Sequence, residues 1–269
     1  MRIVRCEREC FMREFFGFGG YLREPEGYFS WQHLTFVTSL MAVMITLAVL
    51  FGLRNRRRGE KTKNTPLVVA AILIDTLEIF KIVLMCLRSD DAVGSLLQEL
   101  PLFLCSIQLI TLPLAAFSRG RLREASLDFV CIFGLLGAVL GPYAAGQNYS
   151  CYPVLSVDNV VSGITHCISG FASLYIMIAG LTNMKRRNIP FTFGILLGFC
   201  VTAYVVNILV DYNYMFLMRG DGTPYDLVYN LVGGSPVWYP LSVVALFLIY
   251  ICAFYGVFYC CKNRNHRKG

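Results

Sequence analysis

The sequence predicts an all-α fold: a polytopic transmembrane helical bundle of seven spans, with the N-terminus outside and the C-terminus in the cytoplasm. Three observations predict it. Hydrophobic residues make up 56% of the 269-residue chain and charged residues only 15%, against roughly 45–50% and about 25% in soluble domains. Mean hydropathy is +0.58, more apolar side chain than a soluble fold of this size buries in one core. The apolar residues also gather in stretches of about the 20 residues that a membrane helix needs, and the basic residues between those stretches alternate.

The predicted spans are 34–53, 66–87, 99–118, 125–145, 160–182, 191–211 and 237–260. Polar, Gly and Pro punctuation separates them, as in Arg56-Arg57-Arg58-Gly59 and Asp221-Gly222-Thr223-Pro224. Residues 1–33 hold no apolar run of the length a signal-peptide core needs. They read as an extracytoplasmic, interfacial segment, amphipathic over 10–30. Residues 34–260 form the transmembrane domain and 261–269 a basic cytoplasmic tail.

Orientation follows from charge. The loops after spans one, three and five and the tail hold sixteen Lys and Arg, from Arg54 to Lys63, Arg119 to Arg123, Lys185 to Arg187 and Lys262 to Lys268. The alternate loops hold only Arg88 and Arg219. The positive-inside rule places the first set in the cytoplasm of a multi-pass cell-membrane protein. The net charge of +7 is therefore an orientation signal, and no nucleic-acid partner is expected; the expected partner is the lipid bilayer. Eleven cysteines are scattered. Cys6, Cys10 and Cys151 lie on the outer side, where a disulfide is open but its pairing is not deducible. Neither CxxC nor His-rich spacing suggests a metal, and no cofactor is called for.

Ionisable and polar groups at membrane depth are costly, so each marks a candidate site. Span two carries Asp75, Glu78 and Lys81 at spacings of three, on one helical face; Glu78 and Lys81 can pair. Span three opens on Pro101, which suits a helix's first turn, followed by Cys105 and Gln108. Span five carries His166, span six ends near Asn213 and Tyr214, span one begins near His33, and Trp238 opens span seven. Cys105 and His166 each lie about six residues past the outer end of a span. At roughly 1.5 Å per residue, both sit about 9–10 Å below the outer boundary.

A Cys beside a neutral His is the minimum for nucleophilic acyl transfer: the base takes the thiol proton and the thiolate attacks a carbonyl. At that depth the natural carbonyl is a lipid ester. Cys105 and His166 are thus the candidate catalytic pair. His33, Glu78, Lys81, Gln108, Asn213, Tyr214 and Trp238 are the candidate substrate-binding residues, for a phospholipid or a small molecule. No GxSxG, HExxH, P-loop or GxGxxG element is present, which removes the common hydrolase, metalloprotease and nucleotide-binding classes. Two other classes stay open: a small-molecule binder or transporter around Glu78, Lys81, Asn213 and Tyr214, and a sensor or scaffold without chemistry. Interrupted helices would favour the transporter.

Several motifs carry a family resemblance. They are Phe29-Ser30-Trp31-Gln32-His33-Leu34, Leu100-Pro101-Leu102-Phe103-Leu104-Cys105, Phe133-Gly134 with Gly137-Ala138, His166, Asn213-Tyr214-Met215-Phe216-Leu217 and Gly234-Ser235-Pro236-Val237-Trp238-Tyr239. With them the chain resembles the bacterial YwaF-type integral membrane proteins, a family related to eukaryotic transmembrane protein 164. The resemblance covers nearly the whole chain from residue 29. It implies a helical bundle without a soluble domain and, through the eukaryotic relative, a phospholipid acyltransferase that uses a Cys and a His. His166 matches the family's histidine. The chain departs from the pattern at Phe103, where a His is frequent, and at Leu102, where the relative's nucleophile falls. Cys105 lies one helical turn further on.

Overall fold

The computed structural model describes residues 13–144 and 146–266. These form ten α-helices and no strand: α1 Trp31–Asn55, α2 Glu60–Arg88, α3 Ala92–Gln98, α4 Gln108–Phe117, α5 Gly120–Ala144, α6 Gly146–Cys151, α7 Val157–Ala179, α8 Ile189–Val210, α9 Tyr225–Leu231 and α10 Trp238–His266. Short 3-10 turns lie at Arg186–Asn188 and Tyr214–Phe216. Cys6, Cys10 and the end of the basic tail fall outside the described residues; Cys151 is an exposed thiol with no disulfide partner among them.

Five helical stretches are long and apolar enough to cross a membrane: Trp31–Asn55, Gly120–Cys151, Val157–Ala179, Arg186–Val210 and Trp238–Cys261. Two predicted spans look different. α2 has 29 residues, ample length, but Asp75, Glu78 and Lys81 put three charged residues within its apolar stretch. The third has only ten helical residues, Gln108–Phe117, about 15 Å of helix against a hydrocarbon core of about 30 Å. Its first half is irregular. Pro101 disfavours a helical conformation at Leu100, and the chain runs through turns, with Leu102 N–H donating to Leu100 O at 2.7 Å and Gln108 N–H to Cys105 O at 3.3 Å.

Helix ends are set locally. The Ser30 hydroxyl caps α1 by accepting from the His33 N–H at 3.2 Å, and the Ser156 hydroxyl caps α7 from Asn159 N–H at 3.3 Å. Gly180 ends α7 at φ 68°, the left-handed cap that glycine takes without strain.

α7 is the hub, packing against α1, α2 and α5. Small residues let these backbones meet closely. A Cβ on Gly134 would fall 2.7 Å from the Ser169 carbonyl oxygen, and one on Gly170 would fall 2.5 Å from the Ala138 Cβ. One apolar core joins α2, α4, α5 and α7, through residues such as Ile74, Leu112, Val130 and Ile176. A second joins α5, α8, α10 and the Tyr214 turn, through Phe129, Leu196, Tyr214 and Val243.

Residues 13–30 lie across one end of the bundle, the upper end. Arg88 at the end of α2 donates to the Phe16 carbonyl at 2.9 Å, to the Tyr21 hydroxyl at 3.1 Å and to both oxygens of Asp158 at 2.9 and 2.6 Å; Tyr21 donates to the same carboxylate. The lower end is tied by Asp128, fully buried in α5. It accepts from Thr182, from Asn188 at 2.9 Å and from Tyr255 at 2.8 Å, so one carboxylate joins α5, α10 and the α7–α8 connection.

Candidate functional site

The upper half of α5 organises the polar residues. Gly137 and Gly141 lie one turn apart on it. A Cβ on Gly137 would sit 3.6 Å from the Cβ of Cys105, and one on Gly141 would sit 2.3 Å from Cε1 of His166. The irregular stretch before α4 and the middle of α7 therefore deliver Cys105 and His166 to adjacent turns of one helix face. Both side chains are half-buried. The Gly137 backbone lies near the His166 ring, which makes no side-chain hydrogen bond among the described residues. No direct thiol–imidazole hydrogen bond is present among the described residues; the contact of Cys105 Sγ is with Ser106 Oγ at 4.0 Å.

Beside the pair stands a charged triad. The Lys81 ammonium lies 2.7 Å from Glu78 and 2.8 Å from Glu99, and Glu78 is buried. The Lys81 charge reaches both Cys105 and His166. Glu99 sits at the junction of α3 and the irregular stretch, and its charge reaches Tyr212 and Tyr214. Phe103 packs edge-on to Tyr214, ring centroids 5.2 Å apart. Cys105, His166, Glu78, Lys81 and Tyr214 thus come to one region. Asp75, on the same helix as Glu78 and Lys81, has a buried carboxylate oxygen with no hydrogen-bond partner among the described residues.

The remaining candidates stand apart from that face or are engaged elsewhere. Gln108 is buried at the start of α4; its Oε1 accepts from Thr111 at 3.2 Å, and its Nε2 has no partner among the described residues. His33 is fully buried. Its Nδ1 accepts from Phe29 N–H at 3.2 Å, so its Nε2 is the donor to the Pro142 carbonyl at 3.0 Å. Asn213 clamps a turn, accepting from Met218 N–H at 2.9 Å and donating to Arg219 O at 2.8 Å and Asp221 Oδ2 at 2.7 Å. Asn207 grips the next residue's backbone, accepting from Tyr214 N–H at 2.7 Å and donating to Tyr214 O at 3.1 Å. The Asn-Tyr-Met-Phe-Leu motif is in this structure a tight turn, with Met215 and Phe216 at φ 56° and 54°. Trp238 is 66% exposed at the start of α10. Among the described residues no group of three or more His, Cys, Asp or Glu is disposed to hold a metal ion.

Sequence reasoning missed Glu99, and with it the triad, because Glu99 was read as the first residue of a span. It missed Gly141 because the need for a missing side chain is set by a partner 25 positions away. The Arg88–Asp158 pair had a signal: an isolated arginine in a loop and an aspartate in the first turn of an apolar helix, where it also suits the helix dipole.

No curated protein and no solved structure matches the chain. The YwaF likeness rests on the sequence motifs alone. The other half of that resemblance has independent support, since the model of the TMEM164 family matches residues 28–255, from just before α1 to the last turns of α10. On that match, over most of its length, the chain belongs to the TMEM164 family.

Proposed function

We propose that this membrane protein transfers acyl groups at a lipid ester, with Cys105 as nucleophile and His166 as base. The observation that carries this reading is the meeting of these two residues, from separate segments, on the Gly137–Gly141 face of α5. In the proposed step a ring nitrogen of His166 accepts the Cys105 thiol proton. Sulfur forms a bond to the ester carbonyl carbon, and the ester C–O bond breaks. The leaving alkoxide takes the proton back from the imidazolium, and the acyl group stays on Cys105 as a thioester. An acceptor hydroxyl then repeats the sequence in reverse. The Lys81 ammonium, whose charge reaches Cys105, would favour the negative charge that develops on sulfur. Glu78, Gln108 and Tyr214 would line the acyl donor's path.

The frame proposed for this chemistry has seven membrane crossings in the cell membrane, counting α2 and the short α4 with its irregular lead-in. The N-terminal 33 residues would lie outside and the basic tail in the cytoplasm. A second reading, a polar small-molecule binder or transporter, is favoured by one observation: the proposed third crossing is interrupted beside a half-buried Glu–Lys–Glu triad.

Incubating the purified chain in detergent with a fluorescent phospholipid ester or thioester probe separates the two. Acyl transfer predicts a hydroxylamine-sensitive acyl adduct mapped to Cys105, lost in Cys105→Ser and slowed in His166→Ala. An adduct on another cysteine, or none in a folded protein, overturns the catalytic reading.

A further inference from the structure

We infer that the α1–α2 loop at the lower end is a binding site for an anionic phospholipid, with the phosphate held by Arg54, Arg56, Arg57 and Arg58 and an acyl chain lying on Leu50 and Leu53. This site is independent of the chemistry at Cys105.

The reasoning starts from which cations are already engaged. At the same end of the bundle Lys185 and Arg187 pair with Glu124 at 2.7 and 3.2 Å. Arg121 lies over the Phe191 ring and Arg186 over the Tyr259 ring. Arg123 donates to Asn64 at 3.2 Å. Among the described residues, no ion pair, hydrogen bond or ring contact engages the side chains of Arg54, Arg56, Arg57, Arg58 or Lys61. Charge that served orientation alone could be spread and neutralised like that of the neighbouring loops. Here it is concentrated, and among the described residues the one carboxylate of the loop, Glu60, makes no ion pair with it.

Shape adds a second observation. Leu53, Arg54, Arg56, Arg57 and Arg58 line an open concavity of about 620 Å³. Beside it, Phe51, Arg54, Lys61 and Thr62 help to line another of about 500 Å³. Arg54 is common to both, so the two concavities flank one arginine. Leu50 and Leu53 are exposed apolar residues on one face of the last turns of α1, a face that would meet lipid tails. A soluble anion would use the arginines and leave these side chains bare; a lipid uses both. Guanidinium groups bind phosphate oxygens in a bidentate fork, and each basic residue at an anionic membrane surface contributes about 1 kcal/mol, a factor of roughly five in affinity.

The test is native mass spectrometry of the full chain in detergent, titrated with phosphatidic acid, with phosphatidylcholine of the same acyl chains, and with inositol trisphosphate as a soluble anion. The wild type should retain phosphatidic acid in clear preference to phosphatidylcholine. The triple variant R56Q/R57Q/R58Q should bind it about 100-fold more weakly, and R56K/R57K/R58K should hold most of the affinity. The control R119Q/K185Q/R187Q removes as much charge from the same end and should change little. Should the glutamine triple variant fail to fold, Arg57→Gln alone is expected to lose roughly fivefold. No preference in the wild type, equal losses in the variant and the control, or no loss in Arg57→Gln would overturn the proposal. So would trisphosphate binding as tightly as the lipid.

Discussion

Gly141 and His166 are fitted to each other: a Cβ at position 141 would fall 2.3 Å from Cε1 of the ring, a separation that real side chains do not tolerate. Gly137, one turn earlier, leaves 3.6 Å to Cys105, an ordinary contact. Gly141→Ala should therefore cost about 1–3 kcal/mol through overpacking, and it should slow labelling of Cys105 by displacing the proposed base. Gly137→Ala should be close to neutral in the same thermal-unfolding and labelling assays. Equal behaviour of the two variants would mean that the ring does not depend on the gap at Gly141.

Lys81 is shared by two carboxylates, so the triad does not behave as a simple pair. Glu78→Gln leaves Lys81 joined to Glu99 and should cost about 1 kcal/mol. Lys81→Met leaves two carboxylates facing each other without a cation and should cost about 3–5 kcal/mol. Unfolding midpoints in detergent decide between them. A Lys81 variant no worse than the Glu78 variant would show that the triad is not closed in the membrane.

The Tyr21 phenol is held above its ordinary range, first by burial and then by the Asp158 carboxylate that it faces. An acid whose pKa is raised by folding contributes stability below its unfolded value, near 10, and loses it as pH rises through the higher folded value. On the alkaline side, attachment of residues 13–30 should therefore weaken only in strong alkali. Tryptic cleavage after Arg23 should be slow at pH 8 in the wild type and fast in Asp158→Asn, which removes the charge that Arg88 and Tyr21 share. Equal cleavage rates would mean that another contact, such as Glu26 with the Val154 N–H at 2.7 Å, holds the segment.

Asp128 is the corresponding tie at the lower end. Asp128→Ala removes the acceptor of three side chains and should cost about 2–4 kcal/mol, because buried donors are left unsatisfied. Asp128→Asn can still accept from part of the set and should cost less. A surface-like loss below about 0.5 kcal/mol in the alanine variant would show that water replaces the carboxylate.

Hydropathy made the five long apolar helices legible, because burial in lipid leaves a run of apolar residues whatever the tertiary contacts. It misread residues 99–107. Leu100, Leu102, Phe103 and Leu104 are as apolar as any span, and only the backbone distinguishes a helix from a chain of turns. The Glu78–Lys81 pair was legible because a spacing of three fixes it within one helix; Glu99 joins it through the fold and was not. Asp128 lies inside the predicted fourth span and carried the same signal as Glu78, yet its partners are spread over the Thr182–Asn188 connection and α10, so no sequence spacing announced its role. Asn213 drew notice as a polar residue near the membrane, while its work as a turn clamp depends on carbonyls and amides that every residue possesses.

The turns before α4 leave something exposed that a full helix would have consumed. Among the described residues, the N–H groups of Phe103, Leu104, Cys105 and Ser106 donate to no backbone carbonyl. Hydrocarbon offers such groups nothing, and leaving each bare costs several kcal/mol. If the proposed third crossing holds, the bilayer beside this stretch would have to be thinned or wetted to the level of the thiol. Amide deuterium should enter residues 103–106 far sooner than the middle of α7. The same hydrated notch would admit the polar part of an amphiphile without first dragging it through the oily interior.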